Sequence, residues 1–506
     1  MHTSPSPPGE NRRSAGILLH PTSFPGIYGI GDLGDEVIAF LDWAQSAGIT
    51  IWQVLPLNPT GYGASPYGCL SSFAGSHLMI SPQRLLQQHL LDPSDVSDVP
   101  RFADDHVDFD PVHDYKFRLL RTSWQRFQER AGDELRAELE AFVAAPEQAG
   151  WLADYALFMT LKNSVGGAAW WTWDEPLALR EPKALETARQ KLAGEIRFWE
   201  YIQFIFFRQW DAVREAARAR GIRILGDVPI YVANDSADVW ASPELFQLDT
   251  HGRPTVVAGV PPDYFSTTGQ RWGNPLYRWD VMRETGFRWW IARVRMNLRM
   301  TDLVRLDHFR GFAAYWEIPA DEETAIHGRW MPGPGAALFD ALRDALGPLP
   351  LIAEDLGFIT ADVHELRRSV GLPGMKILQF GFAQPDSPHL PHHYEPATVV
   401  YTGTHDNDTT RGWFERASPA ERDNALSYLG CADPDDIANA MTRAAYTSVA
   451  DIAIIPAQDI LALGSDARMN TPGAEHGNWS WRIASGALTL ENAATLRKLA
   501  TVTGRV

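Results

Sequence analysis

Three short apolar runs in this chain each deliver a carboxylate. Leu303-Val304-Arg305-Leu306 runs into Asp307, and Leu351-Ile352-Ala353 runs into Glu354. Val399-Val400-Tyr401-Thr402 reaches Asp406 through Gly403-Thr404-His405. Three acids brought to one mouth suit a reaction that passes through a positive centre, as glycosidic bond cleavage does. Asp also favours turns and helix caps, so one strand ending in Asp would carry little weight. Three such endings, each with His, Arg or a second acid beside it, point to chemistry.

The neighbours suggest how the acids divide the work. Strand alternation puts Arg305 and Asp307 on one face. A cation two residues away keeps a carboxylate ionised, the state a nucleophile needs; the plainer reading is a structural ion pair. A general acid must instead hold its proton, and the crowd formed by Asp307 and Asp406 raises the pKa of Glu354. Asp355 follows, and a helix cap and a grip on a sugar hydroxyl both stay open for it. The polar segment Thr402–Thr409, with Gly403, His405, Asn407 and Asp408, is a loop that folds Asp406 back over the strand ends.

Other chemistries fit less well. Lys376, on an apolar run, could form a Schiff base with a carbonyl substrate, as in an aldolase. That reading leaves three acids unexplained, and no Gly-rich phosphate loop follows the last two strands. Gly26, Gly29 and Gly31 lack the spacing of a dinucleotide fingerprint, and no Lys follows for a P-loop, so they read as a tight turn. His389, His392 and His393 lie among prolines without a matching Asp or Cys pattern, which argues against a metal. The reading therefore calls for no metal and no cofactor.

The acids need a scaffold that gathers strand ends. Eight β-leaning runs occur: Gly16–Leu19, Thr50–Leu55, Ile222–Val228, Leu303–Asp307, Leu351–Glu354, Lys376–Phe380, Thr398–Tyr401 and Ile452–Ile455. Most are continuously apolar, as strands buried on both faces are. Helical stretches such as Glu36–Gln45 and Asp362–Arg368 separate them. The expected fold is α/β, a (β/α)8 TIM barrel with helical and irregular insertions after strands 2 and 3. Residues 1–506 form one catalytic unit on this reading, with a disordered tail over 1–13. A mostly helical insertion spans 58–218, its amphipathic helix running from about Val112 to Arg218. A second insertion, 231–300, is irregular from Tyr231 to about Tyr277 and carries a loop over 263–272. The cluster Trp170, Trp171, Trp173 and the run Phe198–Ile202 read as core-facing helix.

Composition excludes several classes. The chain has 506 residues, 45% of them hydrophobic, enough for a large core. A net charge of -18 argues against nucleic acid or an anionic membrane as partner. No run approaches the ~18 apolar residues of a membrane helix, and the N-terminus carries no apolar signal segment. Two cysteines, Cys69 and Cys431, make no disulfide framework and fit a reducing, cytoplasmic setting. Nineteen Trp residues provide either sugar platforms or an aromatic core, the core being the better account of most.

Several segments carry a family resemblance: GILLHPTSFPGIYGIGDLG, PTGYGASPYG, GDVPIYVANDSADVW, VAGVPPDYFSTTGQRWGNPLY, VRLDHFRGF, AEDLG, VVYTGTHDN and RMNTPG with GNWSWR. Over nearly the whole chain the sequence resembles the amylomaltases, the 4-α-glucanotransferases of glycoside hydrolase family 77. The resemblance implies a nucleophile at Asp307, an acid/base at Glu354 and a transition-state stabiliser at Asp406. It implies sugar-binding roles for Ser65, Tyr67, Asp227, Asp263, Gln270, Trp272, Arg305, His308, Asp355, His405 and Asn470. Tyr62 matches a second glucan site away from the centre, and Asp263–Trp272 a loop arching over the cleft. Thr267 stands where many relatives have an acid, His393 where Asn is common, and Asn58 where Gly is frequent. The family has no separate C-terminal β-sandwich. The implied partners are α-1,4-glucans and malto-oligosaccharides, handled by a monomer or simple homo-oligomer. A hydrolase of the α-amylase type uses the same carboxylates and is the alternative.

Overall fold

The computed structural model describes residues 13–262, 266–474 and 476–506, with the backbone but not the side chain of Tyr62. The expected N-terminal tail, apart from Arg13, lies outside the described residues.

Eight parallel strands form one sheet. They are β1 (Ser14–Leu18), β2 (Ile51–Gln53), β3 (Arg223–Val228), β4 (Leu303–Leu306), β5 (Leu351–Ala353), β6 (Gly374–Ile377), β7 (Thr398–Tyr401) and β8 (Ile452–Pro456). Their hydrogen-bonded order is β6-β7-β8-β1-β2-β3-β4-β5, so first and last in the order are consecutive in the chain. The seam between β5 and β6 is closed differently. Ala353 N–H donates to Pro373 O at 2.9 Å. Met375 N–H donates to the Asp355 carboxylate at 2.7 Å, a side chain standing in for a missing ladder partner. The strands are almost wholly buried, which explains their unbroken apolar character. Close packing decides Gly16 on β1: a Cβ there would lie 2.8 Å from Ile454 Cγ1.

Helices α1 (Asp35–Ser46), α2 (Ala193–Ala219), α3 (Arg288–Met300), α4 (Ala336–Leu346), α5 (Ala361–Ser369), α6 (Ile437–Thr447) and α7 (Leu490–Val502) surround the sheet. In α1 the expected stripe of Val37, Phe40, Leu41 and Ala44 is buried, and Asp35 and Glu36 favour the positive end of the helix dipole. The repeat lapses between β6 and β7, where the described chain forms only 3-10 turns. Pro385, Pro388, Pro391 and Pro396 in that stretch exclude a regular helix.

The segment between β2 and β3 is largely helical from Phe109 onward, in several separate helices. Phe109–Arg130, Asp133–Ala144, Leu152–Ser164 and Pro182–Lys191 precede α2. Gly132, Pro146, Gly150, Gly166 and Gly167 interrupt the pattern. Trp170, Trp171 and Trp173 sit in and beside a 3-10 turn, not on a helix; Trp170 and Trp173 are nonetheless core. Phe198–Ile202 lies on α2 and is buried apart from the half-buried Glu200.

The stretch read as irregular after strand 3 contains two strands, Val256–Val260 and Gln270–Pro275. With Ala314–Pro319 and Arg329–Pro332, from the β4–β5 connection, they make a separate antiparallel sheet. Its outer strands are largely exposed, so they lack the apolar alternation by which strands are read. After β8 the described chain forms helices and turns and no further sheet strand.

Candidate active site

Parallel strands place their C-terminal ends at one face, and the three acids are there. Asp307 directly follows β4, its N–H donating to Val228 O on β3 at 3.0 Å. Arg305 lies two residues back on the same face. Its Nη2 meets Asp307 Oδ1 at 2.9 Å. Its Nη1 donates to both oxygens of Asp227, at 2.8 and 2.7 Å. The Tyr67 hydroxyl donates to the same carboxylate at 2.8 Å. Asp227 is thus fully buried, with both oxygens engaged, and props Arg305 and Tyr67 rather than facing an open cleft. Ser65 acts one step further back, accepting the Tyr67 N–H at 3.3 Å.

Glu354 directly follows β5. Its carboxylate accepts the His308 N–H at 2.7 Å and the Leu356 N–H at 2.8 Å. His308 can aim its N–H this way because its backbone is left-handed, with φ of 50°. A non-glycine residue held there is strained, and such strain collects at working sites. Gly311 lets the turn pass: a Cβ would come 2.7 Å from Ile230 Cδ1.

Across the mouth, Asp406 sits on the loop between β7 and the helix Thr410–Arg416. Asn470 Nδ2 donates to Asp406 Oδ1 at 2.6 Å, and His405 Nε2 lies 3.3 Å from Oδ2. Tyr67 stacks on the His405 ring with centroids 5.2 Å apart. Asp459, buried after β8, anchors the loop by accepting from the Thr410 N–H and the Thr402 and Thr410 hydroxyls.

Burial raises the pKa of both Asp307 and Glu354. For Asp307, Arg305 opposes the rise while Asp227 and Asp406 add to it. For Glu354, Arg305 and two backbone N–H groups oppose it while Asp307 adds to it. Arg305 bears directly on Asp307, so a proton shared between the two rests on Glu354. At Asp406 burial also acts upward, but His405, Asn470 and Arg305 together hold the group well below the usual carboxylate range. One mouth thus holds an ionised acid beside a cation, a proton-bearing acid, and a third acid fixed as an anion. That set can form a glycosyl ester, protonate a leaving oxygen and stabilise an oxocarbenium-like centre.

The remaining sequence candidates divide. Trp272 is 38% exposed, its ring edge-to-face with His308 at 4.8 Å, and its Nε1–H donates to Gln270 Oε1 at 3.1 Å. Asp355 does not join the three acids: its oxygens serve Met375 N–H and Arg367 Nε, the latter at 3.1 Å. It is neither a cap nor a cleft group but the closure of the barrel seam. Lys376 is half-buried on β6, in the field of Asp355, Arg367 and Glu395. His389 accepts the Ile377 N–H at 3.1 Å, and His392 meets the Tyr428 hydroxyl at 2.9 Å. Asn58 donates to Ala74 O at 2.8 Å, a buried structural bond. Asp263 and the side chain of Tyr62 lie outside the described residues.

Two neighbours were missed. Arg468 donates to Asp406 O and Asn470 O, both at 2.7 Å, and so fixes the loop and its partner together. Trp479 packs against both Tyr67 and His405, at 5.6 and 5.9 Å. Both lie in RMNTPG and GNWSWR, where no apolar run ending in an acid draws notice.

The model of the glycoside hydrolase 77 family, described as 4-alpha-glucanotransferase, matches residues 19–489. The chain belongs to this family. It is 51% identical over 504 residues to the 4-alpha-glucanotransferase of Thermus thermophilus, covering 98% of this chain and 99% of that one. It is 48% identical over 480 residues to the chloroplastic/amyloplastic 4-alpha-glucanotransferase of Solanum tuberosum, covering 94% of this chain and 83% of the relative. Among solved structures, the amylomaltase from Streptococcus agalactiae in complex with acarbose matches with a TM-score of 0.94 and 38% identity, over 98% of this chain and all of the other. The likeness to that structure agrees with the α/β barrel described above, in which no sheet strand follows β8 among the described residues.

Proposed function

We propose that this protein is a 4-α-glucanotransferase that moves α-1,4-glucan segments between malto-oligosaccharides or starch-like chains by retaining double displacement. Asp307 attacks the anomeric carbon of the donor while Glu354 protonates the departing glycosidic oxygen. The donor piece is held as an ester on Asp307. Glu354, now a carboxylate, removes the proton from the 4-hydroxyl of an acceptor glucan, which attacks the ester and restores the α linkage. Asp406 stabilises the charge that builds at the sugar ring, and Arg305, Tyr67, His405 and Asn470 keep the acids in place. No cofactor enters these steps. The observation that carries the reading is the pair Asp307 and Glu354, the first ion-paired to Arg305 and the second burdened by burial and a neighbouring anion.

The loop over 263–272 belongs to this proposal as the element that excludes water from the ester, and Tyr62 as part of a second glucan site. Among the described residues no helix is long and apolar enough to cross a membrane, and both cysteines are free. A cytoplasmic location is consistent with the free thiols.

The test is incubation with maltotriose and resolution of the products. Glucose together with a ladder of longer oligosaccharides is expected. Glucose and maltose alone would replace transfer by hydrolysis, since water would then be the acceptor.

A further inference from the structure

The loop leaving Glu354 carries a side chain that the mechanism above does not use. Phe358 is 71% exposed, the most exposed aromatic among the described residues. Single exposed apolar residues are ordinary and need no explanation. This one is braced. Arg310 Nη1 donates to Phe358 O at 2.9 Å and to Thr360 Oγ1 at 3.0 Å. The same guanidinium lies 3.9 Å above the Trp330 ring and 5.7 Å from the Phe358 ring. Trp330, itself 36% exposed, is backed by Trp316 at 5.2 Å. Gly357, with φ of 82°, makes the turn that presents Phe358.

The position of this brace matters. Arg310 stands two residues after His308, whose N–H is on Glu354. Phe358 is four residues from Glu354, so their Cα atoms are at most about 14 Å apart. That is within reach of a short oligosaccharide seated at the acid. A general acid stands beside the leaving oxygen, the junction between donor and acceptor. In the order of the eight strands β1 stands four strands from β5, with β2 and β8 on either side of it. Tyr67 follows β2 and Asn470 follows β8, and Asp406 and His405 are in contact with them. The chain running outward from Glu354 therefore borders the side from which the leaving glucan departs and the acceptor arrives.

We propose that Phe358, held by Arg310 against Trp330, is an acceptor-side stacking residue that binds a glucosyl ring beyond the first acceptor ring and sets the preference for acceptor length. The inference rests on the transferase reading. A phenyl face suits the apolar C–H face of a glucose ring, and the braced loop presents it without a large ordering cost. Glucose, as a single ring bound at the junction, does not reach Phe358; maltotriose does.

The experiment uses a glycosyl fluoride as donor, with glucose, maltose or maltotriose as acceptor. In Phe358→Ala the KM for maltotriose should rise about tenfold, equivalent to roughly 1.4 kcal/mol. The KM for glucose and the rate of fluoride release into water should be unchanged. Phe358→Tyr should keep the wild-type order of acceptors. An equal rise for glucose and maltotriose, no rise for either, or slowed fluoride release into water would overturn the proposal. A wild-type enzyme that makes no acceptor product from any of the three sugars would instead overturn the transferase reading.

Discussion

On the β4–β5 side of the mouth, Asp307 and Glu354 are both held above the usual carboxylate range, whereas across it Asp406 is held below. Burial acts upward on all three, so partners decide the difference. Glu354 receives two neutral backbone N–H groups and an anionic neighbour, and Arg305 opposes the rise without cancelling it. Asp406 receives an amide and an imidazole whose own pKa it raises against the effect of burial. Asp307 stands between these cases, buried among anions but with Arg305 at 2.9 Å. Three carboxyl groups at one mouth therefore divide into two anions and one proton-bearing acid, the separation acid/base enzymes depend on.

The largest effect should come from the residue for which no substitute exists. Asp307→Ala removes the atom that forms the ester, and turnover of maltotriose should fall by roughly 10^4-fold or more. Thermal unfolding should still be cooperative. Retained turnover above that level would move the nucleophile elsewhere and dissolve the contrast between the two sides.

Glu354→Gln sharpens the contrast. General acid catalysis contributes about 10^2–10^4-fold, so cleavage of ordinary glucans should fall by that factor. A glycosyl fluoride needs no proton to leave, and its first turnover should survive as a burst of fluoride. The second half-reaction lacks its base and stays slow. The pH profile gives a further reading. Asp307 must be ionised, so activity is lost as pH falls through its raised pKa. Glu354 must be protonated, so activity is lost as pH rises through its raised pKa. The wild-type bell therefore lies above the range of ordinary carboxylates, and its limbs report the pair rather than either residue. The burst in Glu354→Gln should lose the alkaline limb and keep the acid one. An unchanged alkaline limb would mean that another group holds the proton.

Much of this was legible before the structure because its physics is local. A buried parallel strand reads as an unbroken apolar run, and a carboxylate at its end is visible as a break in that run. Seven of the eight strands and the strand-end positions of Asp307 and Glu354 follow from this. The sixth run, read as Lys376–Phe380, is a strand only over Gly374–Ile377 and passes into a 3-10 turn over Leu378–Gly381, and Asp406 lies on a loop beyond its strand. What did not follow depends on long-range pairing. Asp355 shows a cap-like sequence, yet its carboxylate closes the β5–β6 seam through Met375 and Arg367, which only the closed barrel brings near. Asp227 looks like a cleft acid and is a buried prop. The outer strands of the antiparallel sheet, which bear Trp272 and Trp330, are exposed, so no alternation marks them. Arg468 acts through two backbone carbonyls, a role no side-chain motif announces.

On the Asp406 side the expected effects are smaller. Asn470→Ala removes one donor to Asp406 and leaves His405 in place. A hydrogen bond to a charged group is worth about 1.5–3 kcal/mol, so kcat should fall roughly 10- to 100-fold. Acceptor KM should change little, because the interaction matters most as charge builds at the ring. Arg468→Met should act in the same direction by loosening the loop that carries Asp406. A loss confined to KM would make this side a binding wall rather than a stabiliser of the transition state.

The smallest expected effect belongs to Trp272, which touches the Glu354 side through His308. Two roles compete for it. As part of a cover it excludes water from the glycosyl ester, and as packing it holds His308, whose N–H is on Glu354. The two roles separate in one variant. If Trp272 excludes water, Trp272→Ala should leave fluoride release from a glycosyl fluoride near wild type and raise the ratio of hydrolysis to transfer about fivefold, equivalent to ~1 kcal/mol. If it serves His308, the ratio should stay fixed while glucan cleavage falls, because protonation of the leaving oxygen suffers and the acceptor's competition with water does not. The ring is edge-on to His308, tilted at 6.3 Å from Tyr231 and 38% exposed, so part of it stays uncovered by these two neighbours. That geometry favours the first outcome, a change in the ratio with donor cleavage retained.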